Sequence, residues 1–198
     1  MTGWRGRGGG ASIWAGLVVL VLLAGCSPIS TASTLGGAVL EDRSGGDQVE
    51  DLRIRVALNK ALLDDSARLF RAVSTKVWEG RVMLTGAVAE AAQMDRAVAA
   101  AWGIDGVDEV INELQVAEAG SLGDFVDDGL ITQKLEARLL ADGEVRSVNY
   151  RMSAVKGTVY LLGVARGQGE LDRVMAHARD IDGVRRVVPH VRLLNADA

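Results

Sequence analysis

The sequence predicts an α+β protein built from two tandem copies of one αββαβ unit. Each copy is a three-stranded sheet covered by two helices. Two observations carry this. Shifting the 198-residue chain by 77 positions lays it on itself without a gap, from Asp51 on Asp128 to Val116 on Leu193. The same register superposes Gly80 on Gly157, Gly86 on Gly163, Asp95-Arg96 on Asp172-Arg173 and the tetrad Ile104-Asp105-Gly106-Val107 on Ile181-Asp182-Gly183-Val184. Within each copy the apolar spacing passes from helical to extended and back, with glycine at the joints. A repeat of this length is a duplicated domain, not a short-period solenoid.

The elements follow in order. In 51–63, Leu52, Val56, Leu58, Leu62 and Leu63 recur mostly at helical spacing, and 129–140 is the partner helix. An extended stretch is expected at 69–78 and at 148–155, followed by a tight turn at Glu79-Gly80 and Lys156-Gly157. The next strand, "RVMLTGAV" or "TVYLLGVA", holds Gly86 or Gly163 inside it. A glycine within a strand marks a bulge or a close backbone approach, here expected from a helix packed over it. A second helix spans 90–102 and 167–179. It ends where Gly106 or Gly183 can take a positive φ. A last strand closes each unit, at 107–116 and 184–194. Pro189 lacks a ladder donor, which makes the second copy's last strand an edge.

The N-terminus reads as an address. Arg5 and Arg7 precede the apolar run 11–23, which is short for a membrane span and of signal-peptide length. It ends in Leu23-Ala24-Gly25-Cys26, similar to the lipobox at which bacterial lipoproteins are cut and acylated on the cysteine. Cys26 is the only cysteine, so no intrachain disulfide can form. Residues 1–25 are thus expected to be a signal peptide. Residues 26–50 are expected to be a lipidated cysteine with a flexible tether, rich in Ser, Thr, Gly and Asp. The two domains are assigned to 51–117 and 124–194.

Apolar residues make up 48% of the chain and aromatics 4%, so the cores must be aliphatic, and core packing is the default for Trp78 and Trp102. The net charge of −4 argues against nucleic acid as a partner. The two histidines, His177 and His190, have no nucleophile suggested beside them. Asp95 and Asp172 belong to separate repeats and suit helix or salt-bridge roles better than paired acid–base work. No enzyme, small-molecule substrate, metal or cofactor is indicated.

The αββαβ order, the mid-strand glycine of "LTG" and "LLG", and the Ile-Asp-Gly-Val corner resemble the BON domain, named after bacterial osmotically induced and nodulation proteins. With the lipobox and tether, the whole resembles the dual-BON outer-membrane lipoproteins of Gram-negative bacteria. The resemblance implies a non-enzymatic protein anchored on the periplasmic face of the outer membrane, which binds anionic phospholipid through its second domain and supports envelope integrity. Ser27 after the cysteine agrees with outer-membrane sorting in that family. The alternative is a periplasmic chaperone or adaptor contacting envelope proteins, with lipid as anchor only. By resemblance the lipid surface includes the first helix of domain 2, which here offers Leu130, Ile131 and Leu135. Charge adds Arg185, Arg186 and Arg192. Residues 51–117 hold 8 basic and 10 acidic residues, and 128–194 hold 11 and 8. Asp108, Glu109 and Glu113 stand where the second copy has Arg185, Arg186 and His190. Three readings of that exchange stay open: a face for anionic headgroups, a solvated face, or docking of the acidic strand on the basic one.

Overall fold

The computed structural model describes residues 44–117 and 122–194, with side chains in the second stretch from 127 onward. Cys26 and the signal segment lie outside the described residues.

Helix α1 spans Gly45–Asp65. It begins inside the stretch expected to be tether. The Ser44 Oγ accepts the Asp47 N–H at 3.2 Å, and the Asp47 carboxylate accepts the Ser44 N–H at 3.2 Å. This reciprocal cap satisfies two otherwise orphaned donors, so helix starts at two glycines that would disfavour it elsewhere. Ile54, Leu58 and Leu62 form its buried stripe. Ser66 ends α1 and caps a second short helix, α2 (Ala67–Ala72), by accepting the Leu69 N–H at 3.1 Å. The extended stretch expected from Leu69 is therefore helical up to Ala72, and Leu69 is a core residue.

Strands β1 (Val73–Trp78) and β2 (Arg81–Val88) form an antiparallel hairpin with Trp78 opposite Arg81. Its two loop residues, Glu79 and Gly80, have φ of 49° and 71°, as a right-twisted two-residue hairpin loop requires. Helix α3 (Ala91–Trp102) crosses back, and β3 (Glu109–Val116) runs parallel to β2. The order is β1-β2-β3. The second repeat gives α4 (Leu122–Ala141), a 3₁₀ turn (Ser147–Asn149), β4 (Tyr150–Val155), β5 (Thr158–Ala165), α5 (Gln168–Arg179) and β6 (Arg186–Leu193), in the order β4-β5-β6.

At Gly86 and Gly163 the close neighbour is a backbone carbonyl, not the flank of a long helix. An added Cβ would stand 2.0 Å from the oxygen of Ala72 or of Asn149, the residue that leads into the partner strand. Both last strands are edges, and both are guarded at the same repeat position. In β3, Asn112 Oδ1 accepts the Leu114 N–H at 3.1 Å. In β6 the equivalent residue is Pro189. Each device removes a donor that another strand could use.

Among the described residues, three apolar clusters hold the two repeats together. One lies between the first sheet and its helices, around Ile54, Leu58, Leu62, Val82 and Leu84. Another does the same for the second sheet, around Ile131, Leu135, Leu139, Val159 and Leu161. The third joins the opposite faces of the two sheets: Trp78, Met83 and Ile111 from the first, Val155, Tyr160, Leu162 and Val164 from the second. Strand alternation makes this possible, since β2 and β5 are largely buried on both faces. The result is four layers, helix–sheet–sheet–helix. Across the sheet–sheet contact, Thr85 Oγ1 and Ser153 Oγ are 2.7 Å apart and buried, and the Arg151 guanidinium lies 5.0 Å from the centre of the Trp78 ring.

Docking of the acidic strand on the basic one is present at two pairs. Arg192 donates to Glu109 at 3.1 Å, and His190 Nε2 lies 2.8 Å from Glu113. Arg81 joins the same network, donating to Glu109 at 2.7 Å and to the His190 carbonyl at 3.0 Å. Since Glu109 opens β3 and Arg192 nearly closes β6, opposite ends of the two strands meet. Asp108, Arg185 and Arg186 make no ion pair among the described residues.

Candidate anion-binding corner

At one end of each repeat three pieces of chain converge: the start of the first helix, the hairpin loop, and the helix-to-strand corner. An aspartate ties them together. In repeat 1, Asp51 accepts the N–H groups of Glu79 and Gly80 at 2.9 and 3.1 Å. In repeat 2, Asp128 accepts those of Lys156 and Gly157 at 2.6 and 2.9 Å. The loop carbonyl then receives the corner: Gly80 O from Asp108 N at 2.9 Å, Gly157 O from Arg185 N at 2.8 Å. Gly106 and Gly183 turn the corner with φ of 86° and 92°.

On this shared frame the side chains diverge. In repeat 1 the equivalent positions are Glu50, Asp51, Glu79, Asp105 and Asp108, with Arg53 among them. Arg53 pairs with Glu50, donates to the Asp105 carbonyl at 2.8 Å and holds the Glu50 carboxyl below its usual range. The pair lies against Gly106, where a Cβ would come within 2.5 Å of Glu50 Oε1, and fills the space. In repeat 2 the same space is an open cleft of about 470 Å³. Leu130 replaces Arg53 and is 46% exposed at the rim. Lys134, Lys156 and Arg185 replace Ala57, Glu79 and Asp108. Asp127, Asp128 and Asp182 complete the lining, with Asp128 already engaged by the loop. A second, shallower hollow adjoins it through Arg185 and adds Arg179 and Arg186.

The residues named from sequence separate on this surface. Leu130, Arg185 and Arg186 are exposed there. Ile131 and Leu135 are corrections: they continue with Leu139 as the core stripe of α4, at 4% and 0% exposure, and Ile131 forms only the floor of the cleft. Arg192 lies away from the cleft and pairs with Glu109 of the other repeat at 3.1 Å, with its side chain 58% exposed. Lys134 and Lys156 went unnamed, although the 77-residue register puts them opposite Ala57 and Glu79.

Two further side chains have structural partners. His177 Nε2 lies 2.7 Å from Asp142, whose carboxyl is held below its usual range by that contact and by the Glu144 N–H. Tyr150 donates to the buried Glu170 at 3.1 Å, and burial next to that carboxylate drives the phenol well above its usual range. Trp78 is fully buried, whereas Trp102 is 54% exposed at the end of α3, against the expectation of a core residue. Among the described residues no group of three or more His, Cys, Asp or Glu is placed to hold a metal ion. Among them, too, no helix is long and apolar enough to cross a membrane.

A family model for the BON domain matches residues 50–118 and again 127–195. The chain belongs to the BON-domain family. Two BON domains cover most of its length, in the register that the internal repeat defines. Relatives span similar lengths. A protein from the gshII 5' region of Anaplasma centrale is 35% identical over 73% of this chain and 95% of its own. The outer membrane lipoprotein DolP of Haemophilus influenzae is 28% identical over 88% and 92%. The osmotically-inducible protein Y of Escherichia coli is 33% identical over 72% of each.

Proposed function

We propose that this BON protein is a non-enzymatic, lipid-anchored component of the bacterial envelope whose second domain binds anionic phospholipid through the open corner and the hollow beside it, where Arg179 and Arg186 add to Lys134, Lys156 and Arg185. One observation carries the reading. Two copies of one frame sit in one chain; the first is acidic and plugged by its own Arg53–Glu50 pair, the second open and lined by Lys134, Lys156 and Arg185. Leu130 at the rim supplies an apolar contact beside those cations, the pairing by which a surface-bound protein engages acyl chains and headgroups together. Each cation near an anionic surface contributes about 1 kcal/mol, and the five of the corner and its hollow outnumber Asp127, Asp128 and Asp182, so the attachment is selective and salt weakens it. Acylation of Cys26 would provide the permanent anchor, in keeping with the similarity to a protein named as an outer membrane lipoprotein.

The test is co-sedimentation of residues 27–198 with vesicles. Binding is expected to phosphatidylglycerol but not to phosphatidylcholine, and to fade as salt is raised. Charge reversal at Lys134 and Arg185 together, or Leu130→Glu alone, should abolish it. Undiminished binding by those variants, or none at any lipid composition, would sink the proposal. In cells, Cys26→Ala should release the protein from the membrane fraction.

A further inference from the structure

The exposed apolar side chains are divided unevenly between the two BON domains. On α1, Val49, Leu52, Val56 and Leu63 are 69%, 49%, 61% and 50% exposed. They lie in one line, three, four and seven residues apart, on the face opposite Ile54, Leu58 and Leu62. The helix is thus apolar on two opposite faces, and only one is used by the core. Domain 2 keeps only the ends of that line: the equivalents of Leu52 and Val56 on α4 are Gly129 and Gln133, whereas those of Val49 and Leu63 are Val126 and Leu140, so the continuous line belongs to domain 1. Arg53 and Lys60 border the line on one side and Arg55 on the other. The nearby carboxylates Glu50 and Asp64 lie farther round and pair with Arg53 and Lys60.

We propose that this outer face of α1 docks a helical segment of another protein, one with its own apolar line bordered by carboxylates. The 3-4-7 spacing is the seam that a partner helix packs against, and the bordering cations select its flanks. A second copy of the chain is the wrong occupant, because self-pairing would set Arg53, Arg55 and Lys60 against the same cations. A bilayer is also the wrong occupant: α1 and α4 belong to opposite outer layers, and lipid held at the α4 corner leaves α1 on the far side. That last exclusion rests on the lipid reading above.

A photo-crosslinking amino acid placed at position 52 of the full chain, expressed in its host, tests this once the adduct is sequenced. The expected adduct is a segment of another protein with apolar residues at 3-4 spacing and Asp or Glu beside them. Val56→Glu should lower its yield about tenfold or more, and Arg55→Glu should lower it without disturbing any apolar contact. Val56→Glu should leave vesicle co-sedimentation unchanged, which separates this face from the lipid corner. Adducts to phospholipid, to a second copy or to segments without that pattern, or no adduct at all, would overturn the proposal.

Discussion

Asp51 and Asp128 stand 77 residues apart, and each carboxylate clamps the two N–H groups of its own domain's hairpin loop. Hydrogen bonds to a charged acceptor are worth about 1.5–3 kcal/mol, and loop donors left unpaired add a desolvation cost. Asp51→Ala or Asp128→Ala should therefore destabilise the protein by about 3 kcal/mol in urea unfolding. The asparagine variants, which keep one acceptor oxygen, should recover part of that loss. Asp128→Ala should also loosen the corner that presents Lys156 and Arg185, and so weaken vesicle binding.

The glycines divide into two kinds, and alanine should tell them apart. At Gly86 and Gly163 a methyl group would overlap a carbonyl oxygen, and φ is 133° or 143°. Alanine at either should cost about 3 kcal/mol or more through steric overlap and backbone strain. Gly129 lies within α4 with nothing inside 4 Å of an added Cβ. Gly129→Ala should stabilise the protein by about 0.5–1 kcal/mol through helix propensity. Thermal unfolding of the three variants would measure both effects.

Thr85 and Ser153 share a buried hydrogen bond across the sheet–sheet contact. Thr85→Val or Ser153→Ala alone strands the other hydroxyl and should cost about 1–3 kcal/mol. The double variant should be less destabilised than the sum of the two, because no polar group is left without a partner. Strictly additive losses would show that the two hydroxyls do not interact in solution.

Acid should weaken the docking of the domains. Hydrogen bonding to Arg81 holds the Glu109 carboxyl below its usual range, with Arg81 and Arg192 charges adding to the effect. A lowered folded-state value means that the stabilisation is complete above the ordinary glutamate range. It is lost as pH falls through the lowered value. Urea midpoints followed through that window should fall for the native protein, and Glu109→Gln should remove this part of the decline.

What the sequence revealed followed from what leaves a local mark. The repeat, the hairpin loops and the Ile-Asp-Gly-Val corners were visible because backbone geometry demands glycine at fixed places. Helix α2 was not, because "ARLFRA" is too short for a period to show and Ser66 serves two helices at once. The start of α1 was hidden because Gly45 and Gly46 read as tether, while the Ser44–Asp47 cap overrides their propensity. The corner cleft was half visible. Arg185 and Leu130 were found by charge exchange and by resemblance, but Lys134, one turn beyond Leu130 on α4, and Lys156 in the hairpin loop were not. Only comparing the repeats position by position shows Ala57 and Glu79 becoming lysines. Ile131 and Leu135 were misplaced because a core stripe and a binding stripe on one helix share the same spacing.

The sheet–sheet core has a consequence for how the protein responds to proteolysis. Trp78, Met83 and Tyr160 are sealed only when both halves are present, so neither half has a finished surface of its own. Cleavage of the connection at 118–121 would cut the chain without parting it. The nicked molecule should elute as one species, with both repeats in a single particle. Clearance would have to begin by prising two sheets apart.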